Sequence, residues 1–210
     1  EANHSGTTPM DMRADAFAGL ARIASAIPDL IAGHGGEETR VTVGKVEVRP
    51  NFAHTIPGEA TFSLVLRDTV EHRLAALGDR LRETIARVAD EHRLGHEIAA
   101  RGHIPPTTLS PDIASLLREE ARALGLDPLV MPSGAGHDAQ TMQALCPCGL
   151  VFVPSRGGIS HSPDEWTDWN AIVEGARLML AAATRLACPG PQADSGPGKA
   201  AKREPDRRPE

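Results

Sequence analysis

The sequence predicts an α/β fold, and two observations on hydrophobic periodicity support that prediction. In the first hundred residues, apolar side chains follow helical spacing, then strand alternation, then helical spacing again. After Pro105-Pro106 the chain changes to short apolar runs, typical of buried parallel strands, alternating with amphipathic helices. With 210 residues, 40% of them hydrophobic, the chain is long enough to bury such a core.

The first predicted element is a helix that begins at Thr8, with Pro9 at its first helical position. Pro28 is expected to kink this helix or to end it early, because proline removes a backbone donor. A strand over residues 40–48 follows. Val41 and Val43 lie at odd-numbered positions of this strand, whereas Val46 and Val48 lie at even-numbered positions. A β-bulge at Gly44, between the two sets, would let both sets face the same side of the sheet.

The next strand has one apolar face and ends in Arg67, where a charged side chain can meet solvent or a ligand. A long amphipathic helix comes after it, with an apolar stripe at Leu74, Leu77, Leu81, Ile85 and Val88. A third strand is expected at about 96–104. The order α-β-β-α-β lacks only a strand upstream of Glu1 to complete a split βαβ sandwich of ferredoxin-like type.

Beyond the double proline, Ser110 opens a helix that Gly125 stops. The apolar runs 129–131 and 150–153 are expected to be buried parallel strands. Ser162-Pro163-Asp164-Glu165 forms a capping box that predicts the start of the last helix. The face that this helix is expected to bury consists of Trp169, Ile172, Val173, Ala176, Leu180 and Ala183.

These patterns divide the chain into three parts. Residues 1–105 are predicted to be an α+β domain without its first strand, and residues 106–188 part of an α/β domain. Residues 189–210 are rich in proline, glycine, alanine and mixed charge, and are expected to be disordered. The chain begins without an initiator methionine, a basic segment or an apolar signal segment, so we expect that it comes from a longer protein.

Composition excludes several classes of protein. The chain carries 22 Lys and Arg against 28 Asp and Glu, a net charge of −6, which argues against a nucleic-acid partner. Its longest purely apolar run is far short of the ~20 residues of a membrane span. Three cysteines favour a reducing cytoplasm over a disulfide framework. Cys146-Pro147-Cys148 has no second pair to complete a zinc site, so we interpret these thiols as buried or incidental.

Three segments place polar, ligating side chains among glycines at the ends of predicted elements: residues 3–10, 132–140 and 154–165. His137 and His161 both follow a predicted strand and precede a helix, the position where open α/β sheets bind ligands and anions. A loop histidine taken alone is more often a hydrogen-bonded surface residue. Spacing alone does not supply the three or four ligands that a zinc ion needs. The residues therefore indicate a ligand-binding α/β protein and leave the ligand open.

The same segments carry a specific resemblance. Asn3-His4-Ser5-Gly6-Thr7-Thr8-Pro9-Met10 resembles the N-H-A-G-T-T-P-M element of N-carbamoyl-L-amino-acid hydrolases and allantoate amidohydrolases, a branch of the dinuclear-zinc aminoacylase/carboxypeptidase superfamily. Ser133–Ala139, Gly157–Glu165 and the Ile56-Pro57-Gly58 turn resemble further elements of that family in the same order. The resemblance covers about residues 1–188. It implies a lid domain followed by the C-terminal part of a catalytic α/β domain.

The resemblance also implies roles for individual residues. His161 is similar to the family's last zinc ligand, and His4 to the lid histidine that polarises the scissile carbonyl, in its own or a partner subunit's site. Arg67 is similar to the arginine that binds the substrate carboxylate, and Gly136 and His137 to residues lining the substrate pocket. The implied reaction is hydrolysis of an amide or ureido C–N bond, with water activated by two zinc ions (or manganese) and a glutamate as general base. A small ureido or amide substrate with a carboxylate and a homodimer through the lid are implied partners.

Three departures from the family pattern affect these expectations. His54 lies thirteen positions before Arg67, where the family usually has a substrate-binding asparagine, and Val65 replaces a common acidic residue. The family's upstream half, which carries the other metal ligands and the general base, has no counterpart here. We therefore expect the chain alone to show little or no activity. Two alternatives stay open: a non-catalytic lid-type dimerisation module, and a related zinc hydrolase of N-acyl amino acids or dipeptides.

Overall fold

A computed structural model describes residues 1–188, so the predicted disordered tail lies outside the described residues. Seven elements lie in its first part: β1 (Asn3–His4), a 3₁₀ turn (Met10–Met12), α1 (Ala16–His34), β2 (Arg40–Arg49), β3 (Thr55–Ile56), β4 (Glu59–Arg67) and α2 (Glu71–Glu91). The later elements are α3 (Pro111–Ala123), α4 (Asp138–Met142), a 3₁₀ turn (Arg156–Gly158) and α5 (Trp169–Ala187). Helices combined with small antiparallel sheets confirm the predicted α/β class.

The chain divides into two compact units. Unit 1 comprises Glu1–Thr108 and Val130–Ala144, and unit 2 comprises Leu109–Leu129 and the described residues after Ala144. The predicted boundary near residue 105 stays a prediction.

The core of unit 1 lies between the helices α1 and α2 and one face of the β2–β4 sheet. Ile23, Ile85 and Val88 form one buried cluster against Phe62 and Leu64. A second cluster joins Ile27, Leu77 and Leu81 to apolar side chains of both strands. Leu77 and Val88 are completely buried, which confirms the stripe that the sequence predicts for α2.

The two long strands confirm the predicted alternation and the predicted bulge. Along β4 half-buried and exposed residues alternate from Glu59 to Arg67, as expected for a sheet with helices on one face. The β2–β4 pairing shifts between Val43 and Val46, so the bulge predicted at Gly44 is present. At this bulge the backbone N–H of Lys45 donates to the Ser63 hydroxyl at 2.9 Å.

The first helix begins later than the sequence predicts. Its N-cap is Asp15, whose carboxylate accepts the backbone N–H groups of Phe17 and Ala18, so the predicted start at Thr8 is wrong. The Thr8 hydroxyl instead donates to the carbonyl of His4 at 2.8 Å, in a turn. The early end expected at Pro28 is also wrong, because α1 continues through it to His34, and the alternative of a kink stays a prediction. The proline ring is exposed, while the opposite side of the helix is anchored in the core.

Replacing Asp15 by alanine is expected to lower the free energy of unfolding by about 1 kcal/mol, because two N–H groups of α1 lose their acceptor. Urea denaturation monitored by circular dichroism measures the loss. Thr8→Val is the matched control, since it removes a hydroxyl that does not cap the helix. A larger loss in Thr8→Val than in Asp15→Ala would restore Thr8 as the helix start.

Among the described helices, α1 is long and apolar enough to cross a membrane by length and composition, with a mean hydropathy of 1.3. One such helix is weak evidence for a span. Leu20, Ile23 and Ile27 of α1 are buried in unit 1, as in the core helix of a folded protein.

Three predicted strands are wrong. Residues 96–104 are exposed and irregular, and so are residues 129–131, with Leu129 82% exposed. Residues 150–153 are half-buried or exposed and form no strand. A strand requires a hydrogen-bonded neighbour, and in the described part of the chain no strand lies beside these stretches.

Unit 2 is built on α3 and α5, which pack against each other. Ser110 caps α3 through the N–H of Ile113, and Gly125, with a φ of 77°, follows its last turn, as predicted. Residues 162–165, predicted to be a capping box, form a turn and do not begin a helix. The helix α5 begins later, at Trp169 after Asp168. The predicted buried face of α5 is exposed, and Leu178 and Ala182 are buried instead.

The error on α5 has a physical origin. The helix carries apolar residues on two sides, and periodicity does not tell which side meets α3. Trp169 is 72% and Leu180 69% exposed, so within residues 1–188 the predicted face lacks a covering element.

Candidate functional site

His4 sits in a tight turn that determines the orientation of its ring. The backbone N–H groups of Gly6 and Thr7 donate to its Nδ1 atom at 3.0 and 3.2 Å. Because both partners are donors, Nδ1 must be the acceptor, and in the neutral ring the proton lies on Nε2. The exposed ring therefore presents an N–H donor on its far side.

His54 lies next to this turn. The N–H of Ser5 donates to the carbonyl of His54 at 3.0 Å, and β1 pairs with β3 so that His4 lies opposite Thr55. The exposed His54 ring contacts Phe52 edge-on, with ring centroids 6.1 Å apart. The structure thus brings the segments of two predicted site residues, His4 and His54, together.

Arg67 belongs to a second group within unit 1. It ends β4 with an exposed side chain, and its Nη1 donates to the carbonyl of Gly134 at 3.0 Å. His137 lies in the same loop, where its Nε2 is 2.8 Å from the hydroxyl of Ser133. Among the described residues other than its two chain neighbours, none lies within 4 Å of where a Cβ of Gly136 would be, so its backbone is open to a ligand. The structure therefore places Arg67 against the loop that carries Gly136 and His137.

Asp68 fixes the end of β4 directly after Arg67. Its buried carboxylate accepts hydrogen bonds from the Arg73 guanidinium at 2.8 and 3.0 Å, from Val70 N–H at 2.8 Å and from the Thr39 hydroxyl. Burial opposes ionisation, but these donors outweigh it and lower the pKa of Asp68 to about 2. The strand end that carries Arg67 is thus held by a buried ion pair.

His161 lies in unit 2, in a loop whose two ends are joined by a hydrogen bond and an ion pair. Arg156 donates its N–H to the Trp166 carbonyl at 2.8 Å and pairs with Asp168 at 3.1 Å. His161 has a φ of 56°, and its N–H donates to Glu165 at 2.9 Å. A left-handed conformation is uncommon outside glycine, and such strain concentrates at functional positions. The next helix, α5, begins only at Trp169, so the predicted helix N-terminus beside His161 is wrong.

The metal that the resemblance implies does not fit the described residues alone. Between Glu1 and Cys188, no group of three or more His, Cys, Asp or Glu side chains is placed to hold an ion. His161 is exposed and supplies at most one of the three or four ligands of a zinc site. We therefore derive no catalytic step through a metal from this chain.

Two arginines that the sequence patterns did not single out hold the His4 turn. Arg13 donates to the carbonyls of Ser5 and Thr8 at 2.5 and 3.1 Å. Arg93 donates in turn to the carbonyls of Asp11 and Arg13. The bonds of Arg93 span 80 or more positions and those of Arg13 lie within an irregular turn. Neither kind leaves a periodic signal, so only the structure identifies these positions.

A model of peptidase family M20/M25/M40 matches residues 8–185. The chain belongs to this family of hydrolases. It is 34% identical over 178 residues to the N-carbamoyl-L-amino-acid amidohydrolase of Paenarthrobacter aurescens, a match that covers 85% of this chain and 43% of the relative. It is also 34% identical over 187 residues to the allantoate amidohydrolase of Escherichia coli, which covers 89% of this chain and 45% of the relative.

The fold agrees with this M20 membership. A crystal structure of an amidase of the hydantoinase/carbamoylase family from Burkholderia multivorans is 32% identical, with a TM-score of 0.83, covering 90% of this chain and 46% of that one. The resemblance found in the sequence is therefore confirmed. The chain spans somewhat less than half the length of the curated relatives it matches. M20 amidohydrolases are generally metal-dependent.

Proposed function

We propose that this chain forms part of a hydrolase that cleaves a linear amide or ureido C–N bond in an N-carbamoyl-L-amino acid or an allantoate-like substrate. Its membership of the M20 family and the names of its relatives support the reaction class. In this proposal Arg67 binds the substrate carboxylate, His4 donates to the carbonyl oxygen, and His54, Gly136 and His137 line the substrate site.

The observation that carries the proposal is the environment of Arg67. One of its five N–H donors holds the Gly134 carbonyl, and among residues 1–188 the guanidinium makes no ion pair and no other hydrogen bond. The planar fork is thus fixed at the end of β4 with donors available for both oxygens of a carboxylate.

Replacing Arg67 by alanine is expected to weaken binding of N-carbamoyl-L-alanine about 10- to 100-fold, because the carboxylate loses a charge-assisted, two-point partner. Calorimetric or NMR titration of residues 1–210 measures the change, and Arg67→Lys should give an intermediate loss. The amide of the same ligand, which lacks the carboxylate, should bind wild type and Arg67→Ala equally. Arg82→Ala is the matched control, since Arg82 pairs with Asp79 on the surface. Equal weakening for acid and amide would reassign Arg67 to a structural role.

The metal belongs to the proposal as well. We propose zinc, with manganese as the alternative, and His161 as this chain's ligand. Because the described residues supply too few further ligands, we also propose that catalysis needs residues beyond those in this chain. The protein is proposed to be cytoplasmic and homodimeric through residues 1–105, with a small molecule rather than nucleic acid or membrane as its partner.

The test compares residues 1–210 with the gene product that includes the sequence upstream of Glu1. Ammonia release from N-carbamoyl-L-amino acids and allantoate is measured with added zinc or manganese, beside an N-acetyl amino acid and a dipeptide. We expect the longer protein to hydrolyse a ureido substrate and residues 1–210 to show little or no activity. Preference for the N-acetyl amino acid or the dipeptide would favour the related zinc-hydrolase chemistry instead.

The lack of a metal cluster in residues 1–188 favours a second candidate function, a lid-type dimerisation module without chemistry. This candidate holds if neither protein hydrolyses any of these substrates while residues 1–210 form a dimer in sedimentation equilibrium. Activity of the longer protein would exclude it.

A further inference from the structure

The cysteine pair of unit 2 is arranged differently from what the sequence pattern indicates. Cys146 is exposed and Cys148 half-buried, and the two are not disulfide-bonded. Their sulfur atoms lie 3.9 Å apart, and the Cys148 thiol points back to the carbonyl of Cys146 at 3.4 Å. Of the two interpretations, buried or incidental, burial is therefore wrong for Cys146, which solvent reaches.

We propose that Cys146 and Cys148 form a reversible dithiol–disulfide site that reacts with low-molecular-weight disulfides such as oxidised glutathione. Two steps along the chain span at most about 7 Å between Cα atoms, close to the upper end of the range that a disulfide bridges. The sulfurs need to approach from 3.9 Å to about 2.05 Å, which side-chain rotation at the exposed Cys146 provides.

The reaction balances with one oxidised glutathione. The Cys146 thiolate attacks a glutathione sulfur, the S–S bond of glutathione breaks, and one glutathione thiolate leaves. The Cys148 sulfur then attacks the Cys146 sulfur of the mixed disulfide and releases the second glutathione. The protein loses two electrons and two protons, which the two glutathione thiols carry away. Burial and the adjacent Cys146 sulfur raise the pKa of the Cys148 thiol, which lowers its thiolate fraction and leaves the first attack to the exposed Cys146.

The backbone around the pair is fixed to α3. The Cys148 carbonyl accepts the N–H of Ser110, the residue that caps α3, at 3.1 Å. A Cβ at Gly149 would lie 2.5 Å from the Ile113 side chain, so the chain is in close contact with the first turns of the helix. Cys148 therefore remains in place while Cys146 moves, and the ring closes beside the start of α3. In a reducing compartment such a pair stays a dithiol until disulfide stress oxidises it.

The test uses residues 1–210 with Cys188→Ser, so that only the proposed pair remains. After titration with oxidised glutathione, intact-mass spectrometry should show a loss of two hydrogens, about 2 Da, with no retained glutathione. Adding Cys148→Ser should leave one glutathione on Cys146, because the resolving thiol is missing. The matched control is the single variant Cys148→Ser, which keeps Cys146 and Cys188. It should form no internal disulfide.

Two outcomes would overturn the proposal. One is that Cys188→Ser retains glutathione at every ratio tested and never loses two hydrogens. The other is that its only disulfides join two molecules, as a non-reducing gel would show. Circular dichroism of each variant confirms that it is folded before oxidation, so unfolded protein does not imitate the result. The proposal does not depend on hydrolytic activity, and its failure leaves the proposed function untouched.

Discussion

Replacing Asp68 by alanine is expected to lower the free energy of unfolding by about 3 kcal/mol. The side chain is fully buried and accepts hydrogen bonds from Thr39, Val70 and Arg73, so its removal leaves several donors unsatisfied. Urea denaturation of residues 1–210 at pH 7 measures the loss. Glu83→Ala is the matched control: its ion pair with Arg80 is exposed, and its removal should cost no more than about 0.5 kcal/mol.

The same residue predicts a pH dependence with a definite sign. The pKa of Asp68 is lowered from its ordinary value of 3.8 to about 2 in the folded chain. Its charged form thus stabilises the fold fully above about pH 4, and this contribution is lost as the pH falls toward 2. Asp68→Asn lacks that contribution, so the difference in unfolding free energy between wild type and Asp68→Asn should shrink from pH 5 to pH 2. A difference that stays constant over this range would contradict the assignment.

Local sequence patterns predicted the fold correctly where both partners of a contact lie near each other in the sequence. The stripe of α2 and the alternation along β4 predicted that Leu77, Leu81 and Leu64 lie at the helix–sheet interface, as the structure shows. The bulge at Gly44 was predictable because only a register shift reconciles the two apolar parities of β2. These elements bury their apolar faces within unit 1, so local periodicity and tertiary packing agree.

Local patterns failed where an element depends on a neighbour. Residues 96–104 and 150–153 have strand-like sequences, yet in the described part of the chain no strand pairs with them. The last helix has two apolar sides, and α3 covers the side with Leu178 rather than the side with Trp169. Asp15 replaced Thr8 as the cap of α1 because Thr8 is used in the His4 turn. Two local hydrogen-bonded structures thus competed for Thr8, and the sequence pattern alone did not show which one forms.

The candidate site was predictable in its residues but not in its contacts. The resemblance named His4, Arg67 and His137, and the structure shows that Arg67 contacts the loop of His137 through Gly134, 67 positions away in the sequence. Neither periodicity nor a motif encodes that contact. His161 lies in unit 2, and its predicted metal role stays a prediction, as do the substrate roles of His54 and Gly136.

Replacing His4 by alanine is expected to lower kcat about 10²- to 10³-fold and to change KM little, measured with the form of the protein that hydrolyses a ureido substrate. The reason is the geometry of the turn: Gly6 and Thr7 occupy Nδ1, so Nε2 carries the proton that can stabilise negative charge developing on the carbonyl oxygen. A donor used mainly in the transition state affects kcat more than substrate binding.

Two substitutions separate the two roles of the His4 ring, in which Nε2 is a donor to the substrate and Nδ1 accepts the hydrogen bonds of the turn. Glutamine has an amide N–H₂ near the position of Nε2, so His4→Gln should recover part of kcat. Asparagine reaches only the position of Nδ1, so His4→Asn should keep the turn and still lose the activity. If His4→Asn were as active as wild type, His4 would serve only to build the turn.

The ring state of His4 is testable without turnover. The ¹⁵N chemical shifts of its imidazole in residues 1–210 should report the Nε2–H tautomer, because two backbone donors hold Nδ1 as an acceptor. Arg13→Ala should mix the two tautomers, since Arg13 holds the carbonyls of Ser5 and Thr8 on either side of those donors. Arg13→Lys should restore part of the preference, as a lysine supplies the charge but not both fixed donors. An unchanged tautomer in Arg13→Ala would show that the turn holds His4 without the arginine, and the donor role of His4 would then depend on Gly6 and Thr7 alone.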